Sequence, residues 1–96
     1  MTNREAILRL SANTGDVPAM TWLRENNSKV IRGVIARYFG AGPAADKAEG
    51  LLMQRMADSA RSYDALENAD EWLARCANTE CNRLRNEAIH EKANRD

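Results

Sequence analysis

Apolar residues recur three and four positions apart along most of the chain, which is the spacing of helices that bury one face. Signals for β-strands are nearly absent, because β-branched residues are few and no run of alternating apolar and polar residues reaches five. Alanine, leucine, arginine, glutamate and methionine, which favour helices, dominate instead. The pattern therefore predicts an all-α protein, a single domain over residues 1–96 that folds as a compact bundle of three to four helices.

Two predicted helices occupy the first part of the chain. The first covers about residues 4–12 and is broken by the sequence NTG. Asp16 is placed to cap the second helix, with Pro18 in its first turn, and Gly40 is placed to end it. The polar sequence ENNS is expected to kink or interrupt this second helix. Its predicted inward residues are Met20, Leu23, Ile31, Val34, Ile35 and Tyr38.

Two further helices are predicted in the second part of the chain. Pro43 opens the third, which runs to about residue 63, and Asn68 or Asp70 caps the last. A frayed tail is expected over residues 87–96. The predicted inward residues of the third helix are Ala48, Leu51, Leu52 and Met56, and those of the last are Leu73, Ala77, Cys81, Leu84 and Ala88.

The two cysteines lie in the last predicted helix, in the sequence WLARCANTECNRLR. Cys76 and Cys81 are five residues apart, so in a helix their Cα atoms lie roughly 8.7 Å apart, beyond disulfide reach. The only histidine, His90, is nine residues beyond Cys81, which does not match the ligand spacing of a zinc site. Both cysteines are therefore expected to be free, buried thiols, and no metal or other cofactor is predicted.

Charge and hydropathy limit the compartment and the partners. The chain has no run of eighteen apolar residues, and Arg4 and Glu5 lie where a signal peptide would be apolar, so we expect a cytoplasmic protein with no membrane partner. Net charge is zero, with six basic and three acidic residues in 1–40, three and seven in 41–71, and five and four in 72–96. Such a chain has no strong general attraction for polyanions, and tight unaided binding to nucleic acid is not predicted.

No catalytic constellation is present in the sequence. The serines lack a suitably spaced base, because the sole histidine lies in the C-terminal tail. The carboxylate pairs are typical of solvated helix starts, and the sequence GAGP lacks the lysine and hydroxyl residue of a phosphate loop. The protein is therefore not expected to be an enzyme.

One face of the last helix is rich in arginine and asparagine, which supply bidentate donors and acceptors suited to bases and phosphates. Such a face is more often merely solvated, so both interpretations stay open. Trp72 lies at the border between this face and the apolar one, where it either caps the core or presents a partly exposed stacking ring. The residues of the polar face are Arg75, Asn78, Thr79, Asn82, Arg85 and Asn86.

Three segments, read in order, resemble region two of bacterial RNA polymerase sigma factors, especially the extracytoplasmic-function type. They are EAILRLSANTGDVPAMTWLRENNSKVIRGVIARYFG, then AADKAEGLLMQRM, then WLARCANTECNRLR, and together they span about residues 4–86. The family has a Gly-Asp followed by an Ala-Phe pair, a long helix ending in glycine, an AEDLvQEtF helix and a WLyrIArNlalDrLR helix. The matching residues here are Gly15, Asp16, Ala19, Met20, Gly40, Ala48, Glu49, Leu51, Trp72, Leu73, Arg75, Ala77, Asn82, Leu84 and Arg85.

The resemblance implies a transcription-initiation domain with two binding surfaces and a sigma region-two fold. The middle helix is expected to dock on the coiled coil of the largest subunit of the RNA polymerase core through Glu49, Leu52, Gln54 and Arg55. The loop at residues 64–68 and the last helix are expected to bind the non-template single strand of melted promoter DNA and to trap extruded bases. The implied DNA-binding residues are Arg61, Tyr63, Trp72, Arg75, Asn78, Asn82 and Arg85.

Two departures from the family pattern keep a second hypothesis open. Gly50 occupies the position of the family aspartate in the docking helix, and no counterpart of the family's helix-turn-helix domain follows. The alternative is a sigma-like helical domain that binds another protein, with no direct promoter reading. An anti-sigma protein is a further candidate partner, and an oligomerising bundle without a nucleic-acid role is a third hypothesis.

Overall fold

The computed structural model describes residues 1–95, with side chains described as far as Lys92. This part of the chain forms five α-helices and one short 3₁₀ turn. The predicted all-α class is confirmed, and the predicted number of three to four helices is wrong, because the second predicted helix is divided in two. The elements are α1 (Asn3–Ala12), α2 (Val17–Asn26), α3 (Ser28–Phe39), α4 (Pro43–Ser59), the 3₁₀ turn (Ala60–Ser62) and α5 (Ala69–Arg95).

Asn27 separates α2 from α3. Its Nδ2 donates hydrogen bonds to the backbone oxygen of Leu23, at 2.9 Å, and to Oδ1 of Asn3, at 2.8 Å. Asn3 Nδ2 donates back to Asn27 Oδ1 at 3.1 Å. An asparagine side chain that bonds to nearby backbone competes with the helical hydrogen-bond pattern. The sequence ENNS therefore interrupts the predicted helix, which is one of the two outcomes expected from it.

Local chemistry sets the other helix ends. Asp16 Oδ1 accepts a hydrogen bond from the backbone N–H three residues on, at 3.1 Å, and Pro18 lies in the first turn of α2. Asn68, and not Asp70, caps α5, since its Oδ1 accepts from the N–H three residues on at 3.1 Å. Gly40 ends α3 with a φ of 70°, a backbone conformation that favours glycine. These capping predictions are confirmed.

The core surrounds the first half of α5. Helices α3 and α4 pack along α5, while α1 and the 3₁₀ turn close one end of the bundle. Most predicted inward residues are buried, but Met20 and Tyr38 are only partly buried and Ala88 is exposed. The prediction for Leu51 is wrong, because its side chain is 42 % exposed while that of Met53 is 3 % exposed and joins the core.

Helix α5 extends beyond the core, since Leu84 is the last buried residue described on it. It continues to Arg95, so residues 87–95 are helical where a frayed tail was expected, and Asp96 lies outside the described residues. Within residues 1–95, no helix combines the length and apolarity needed to cross a membrane. In the same part of the chain, no three histidine, cysteine or acidic residues are grouped so that they could hold a metal ion.

Candidate nucleic-acid interface

A polar cavity of about 240 Å³ lies between the end of α4, the 3₁₀ turn and the first half of α5. The α5 residues that line it recur at helical spacing, so that they lie on one side of that helix and face the same cavity. Two guanidinium groups, three hydroxyl groups, a carboxylate, a thiol and an indole share this lining. The lining residues are Ser59, Ser62, Trp72, Arg75, Cys76, Thr79, Glu80 and Arg83.

The 3₁₀ turn positions the hydroxyl side of the cavity. Ser62 Oγ donates a hydrogen bond to the Ser59 backbone oxygen at 2.8 Å, and the Tyr63 backbone N–H donates to the Ala60 oxygen at 3.1 Å. These bonds keep the chain tightly wound where α4 ends, so both serines stay close to α5. A helix that ended at Ser59 without this turn would carry Ser62 away from the cavity.

Trp72 forms the apolar wall of the cavity and is only 5 % exposed. Its ring packs against Tyr63 in the core, and the Tyr63 hydroxyl donates to the backbone oxygen of Glu67 at 3.0 Å. Of the two interpretations that the sequence left open for Trp72, the core-capping one is therefore correct. The predicted DNA contact through the Tyr63 ring is not available in this conformation, because that side chain is 7 % exposed.

Glu80 is the buried polar residue of the described core, at 5 % exposure. Its Oε1 accepts a hydrogen bond from Arg83 Nη1 at 2.8 Å, and its Oε2 lies 3.8 Å from Arg55 Nη1 on α4. Arg55 also donates to Glu87 Oε2 at 2.5 Å. A buried carboxylate is tolerated when such partners compensate for its lost hydration. Glu80 thus joins α4 to α5 at the cavity floor.

The two arginines at the cavity rim are exposed. Arg75 Nη2 lies 3.4 Å from Glu67 Oε2, with its side chain 62 % exposed, and the Arg83 side chain is 64 % exposed. An ion pair as exposed as that of Arg75 with Glu67 contributes little to stability, about 0 to 1 kcal/mol. The Arg75 guanidinium can therefore turn toward an anionic or polar ligand at small energetic expense, whereas Arg83 is held by its hydrogen bond to the buried Glu80 carboxylate.

Cys76 lies in the cavity wall as a neutral thiol. Burial raises its pKa to about 11, and a hydrogen bond with Ser59 opposes this shift only in part. Burial also raises the pKa of Cys81. Both cysteines are free, as predicted. A thiol with a raised pKa is a poor nucleophile at neutral pH, so the cavity lacks an activated cysteine.

The remaining predicted DNA-binding residues lie outside the cavity. Asn82 and Arg85 are exposed on the adjacent face of α5, where Arg85 Nη2 donates to Asn82 Oδ1 at 3.3 Å and the Arg85 guanidinium lies 4.9 Å from the Tyr38 ring centre. Asn78 is partly buried and donates to backbone within α5. Arg61 is exposed in the 3₁₀ turn but does not line the cavity.

The four residues predicted to dock on the polymerase do not share one surface. Leu52 is fully buried at 0 % exposure, as its apolar spacing predicts, so its side chain does not face a partner in this conformation. Glu49 faces α3, where its carboxylate lies 4.0 Å from Arg32, and Arg55 faces α5. Gln54 alone of the four is freely exposed on the outer face of α4.

A second concavity, of about 300 Å³, has a mainly apolar floor and was not predicted. It lies where the end of α3 and the outer side of α4 meet the second half of α5. Its apolar members include Phe39, Leu51, Leu84 and Ala88, and charged side chains such as Lys47 stand at its edges. Leu51 is half-exposed because it borders this groove.

Trp72 and Arg75 of the predicted DNA-binding residues line the polar cavity, as does Thr79 of the predicted polar face, and the other lining residues were missed. The spacing of Trp72, Cys76, Thr79 and Arg83 is itself helical, so this stripe was detectable as one face of α5. The serines were not detectable, since nothing local shows which face of α5 the end of α4 approaches. No protein-family model, curated protein or solved structure matches this chain.

Proposed function

We propose that this protein is a sigma-factor-like transcription-initiation domain that docks on the RNA polymerase core and binds the melted non-template strand of promoter DNA. The observation that carries the proposal is the polar cavity beside the exposed arginine and asparagine face of α5. The order of the motifs and the helical architecture agree with the resemblance on which the proposal also draws.

The cavity has the chemistry that a single strand requires. Arginines at its rim suit phosphate and base oxygens, and serine and threonine hydroxyls both donate and accept hydrogen bonds. The neighbouring α5 face adds Asn82 and Arg85 along the same helix. Since the chain has zero net charge, affinity for isolated DNA is expected to be weak.

The DNA half of the proposal is tested by replacing Arg75 and Asn82 with alanine in one variant. Both side chains are exposed, so the fold should be kept while single-strand binding and transcription in the polymerase complex fall sharply. A matched control, Arg24→Ala with Asn26→Ala on α2, removes the same residue types from another exposed surface. Equal activity of both variants and the unchanged protein would contradict the proposal that α5 binds promoter DNA.

The docking half is tested by capture of bacterial core RNA polymerase. Because Leu52 is buried, the informative change is on the outer face of α4, where Lys47→Glu with Gln54→Glu alters two exposed side chains. Lys29→Glu with Asn26→Glu changes net charge equally at the α2–α3 junction and serves as the control. Capture that only the α4 variant loses supports docking, and failure of the folded protein to capture polymerase contradicts it.

A second candidate function, a protein-interaction domain without promoter reading, is favoured by the apolar groove at Leu51 and Leu84. Half-exposed apolar side chains in a groove suit an apolar side chain or helix from a partner. The variant Leu51→Glu separates the two functions. It should abolish partner binding under the second hypothesis, whereas under the first it should leave single-strand binding by α5 unchanged.

A further inference from the structure

We infer that the polar cavity selects guanine among the bases of a bound single strand, and that Glu80 is the residue that determines this selectivity. The inference rests on the proposed function, because it names the base that the DNA-binding site takes. It is drawn from the position of one buried carboxylate, from its arginine partner and from the remaining chemistry of the cavity wall.

Glu80 supplies hydrogen-bond acceptors to the cavity. Its side chain is 7 % exposed and contributes to the cavity lining. An ionised carboxylate offers about four acceptor sites, and the bond from Arg83 occupies one of them. Arg55 Nη1, at 3.8 Å, lies beyond hydrogen-bond distance. The carboxylate therefore keeps acceptor capacity for donors that enter the cavity.

Guanine is the base whose donors match a carboxylate. Its N1–H and its 2-amino group point in the same direction along one edge, so both can donate to the two oxygens of Glu80. Adenine and cytosine each present a single exocyclic amino donor, and thymine presents a single ring N–H. A buried carboxylate is thus expected to discriminate in favour of guanine, because the other bases leave more of its acceptor capacity unused.

One rim arginine, Arg75, fits the adjoining O6 and N7 edge of the same base. Guanine O6 and N7 are acceptors that arginine binds in a bidentate manner. Arg75 is exposed and is held only by a 3.4 Å contact with Glu67, so it is free to move onto this edge. Arg83 is committed to Glu80 and keeps that carboxylate oriented. Trp72 supplies an apolar wall beside the ring.

The test uses short single-stranded oligothymidylates that carry one guanine, adenine, cytosine or hypoxanthine. Hypoxanthine keeps N1–H, O6 and N7 of guanine and lacks the 2-amino group, so it removes one of the two expected bonds to Glu80. Binding is read from the fluorescence of Trp72 in a Trp22→Phe background, because the chain has two tryptophans. This comparison varies the ligand alone, since every oligonucleotide is measured against the same protein.

The expected result is about tenfold tighter binding of the guanine oligonucleotide than of the others, which is the discrimination of one good bidentate base contact. Hypoxanthine should lose most of that preference. Glu80→Gln, which keeps the side-chain size but replaces an acceptor with a donor, should equalise the bases. Glu71→Gln, an exposed change on the same helix, should leave the preference intact.

Three outcomes would overturn the inference. Equal binding of all oligonucleotides excludes guanine selection and leaves single-strand binding standing. A Glu80→Gln variant that weakens every oligonucleotide equally shows that Glu80 is only structural. Binding of none of them by the folded protein, measured at low salt and at high oligonucleotide concentration because unaided affinity is expected to be weak, excludes the cavity as a base site. Polymerase capture still decides the docking half of the proposed function separately.

Discussion

The rings of Tyr63 and Trp72 meet edge to face, with centroids 5.6 Å apart and planes inclined by 70°. This is a favourable aromatic geometry, and both rings are buried. The contact ties the chain just after the 3₁₀ turn to the start of α5, across the loop at residues 64–68. Trp72 therefore forms the apolar wall of the polar cavity with the Tyr63 ring packed behind it, while arginines and hydroxyls also line the cavity.

Tyr63→Phe is expected to destabilise the protein modestly. The ring contact with Trp72 is kept, but the hydrogen bond from the Tyr63 hydroxyl to the Glu67 oxygen is lost. Such a loss typically costs about 1 kcal/mol of the free energy of unfolding. Urea unfolding measures it, and Trp72→Ala should cost more, about 3 to 5 kcal/mol. A neutral Trp72→Ala would contradict the buried position of that ring.

The neighbouring leucines of α4 should respond very differently to truncation. Leu52 is fully buried, so Leu52→Ala should lower the free energy of unfolding by about 2 to 5 kcal/mol. Leu51 is 42 % exposed, so Leu51→Ala should change it by about 0.5 kcal/mol. Chemical unfolding of both variants checks this, and comparable losses at the two positions would mean that the register of α4 is wrong.

The Cys76 thiol should ionise at unusually high pH. Burial raises its pKa from the ordinary 9.0 to about 11, so the unfolded chain releases this proton first as pH rises. The contribution of the buried thiol to stability is therefore present below pH 9 and is lost as pH rises toward about 11. Thiolate absorbance in a Cys81→Ala background gives the midpoint, with the protein in denaturant as the control. Coincident midpoints would show that Cys76 is solvated.

Asp16 should make the protein sensitive to acid. Its pKa lies below the ordinary 3.8 because it accepts a hydrogen bond from the Ala19 N–H and pairs with Arg9 at 2.9 Å. A lowered pKa in the folded state means that this stability is present above pH 3.8 and is lost as pH falls through the folded-state pKa.

Asp16→Asn isolates that effect. Asparagine still caps α2, but it lacks the charge that pairs with Arg9 and does not titrate. The melting temperature of the variant should therefore lie below that of the unchanged protein at neutral pH, and the difference should shrink in acid. A difference that stays constant with pH would show that the carboxylate charge does not contribute.

Several features of the fold were predictable because they depend on neighbours along the chain. The periodicity of apolar residues predicts α1, α4 and α5, and the Asp16 cap and the glycine at residue 40 act within one helical turn. The sequence predicted a kink or a break near Asn27 without deciding between them. The polar sequence there was recognised, but the amide pair with Asn3 that completes the break joins residues distant in sequence.

The residues of the candidate site were predictable only where they recur at helical spacing along α5. Trp72 and Arg75 were selected from the pattern of α5, and both line the cavity. Glu80 was missed, because an acidic residue in a polar helix is ordinarily solvated, and its burial arises from the approach of α4. Leu51 was wrongly placed in the core for a related reason, since apolar spacing alone does not show which side of α4 meets its neighbours.

The sequence alone determined that this protein is helical, where most of its helices begin and end, and that its cysteines stay unpaired within α5. Those properties depend on hydrogen bonds and spacing within a few residues of each position. The tertiary structure alone decided which of Leu51 and Leu52 is buried, that Glu80 is enclosed between arginines, and that Ser59 and Ser62 face α5. Such contacts join separate helices, and their geometry is set by how whole helical faces pack together.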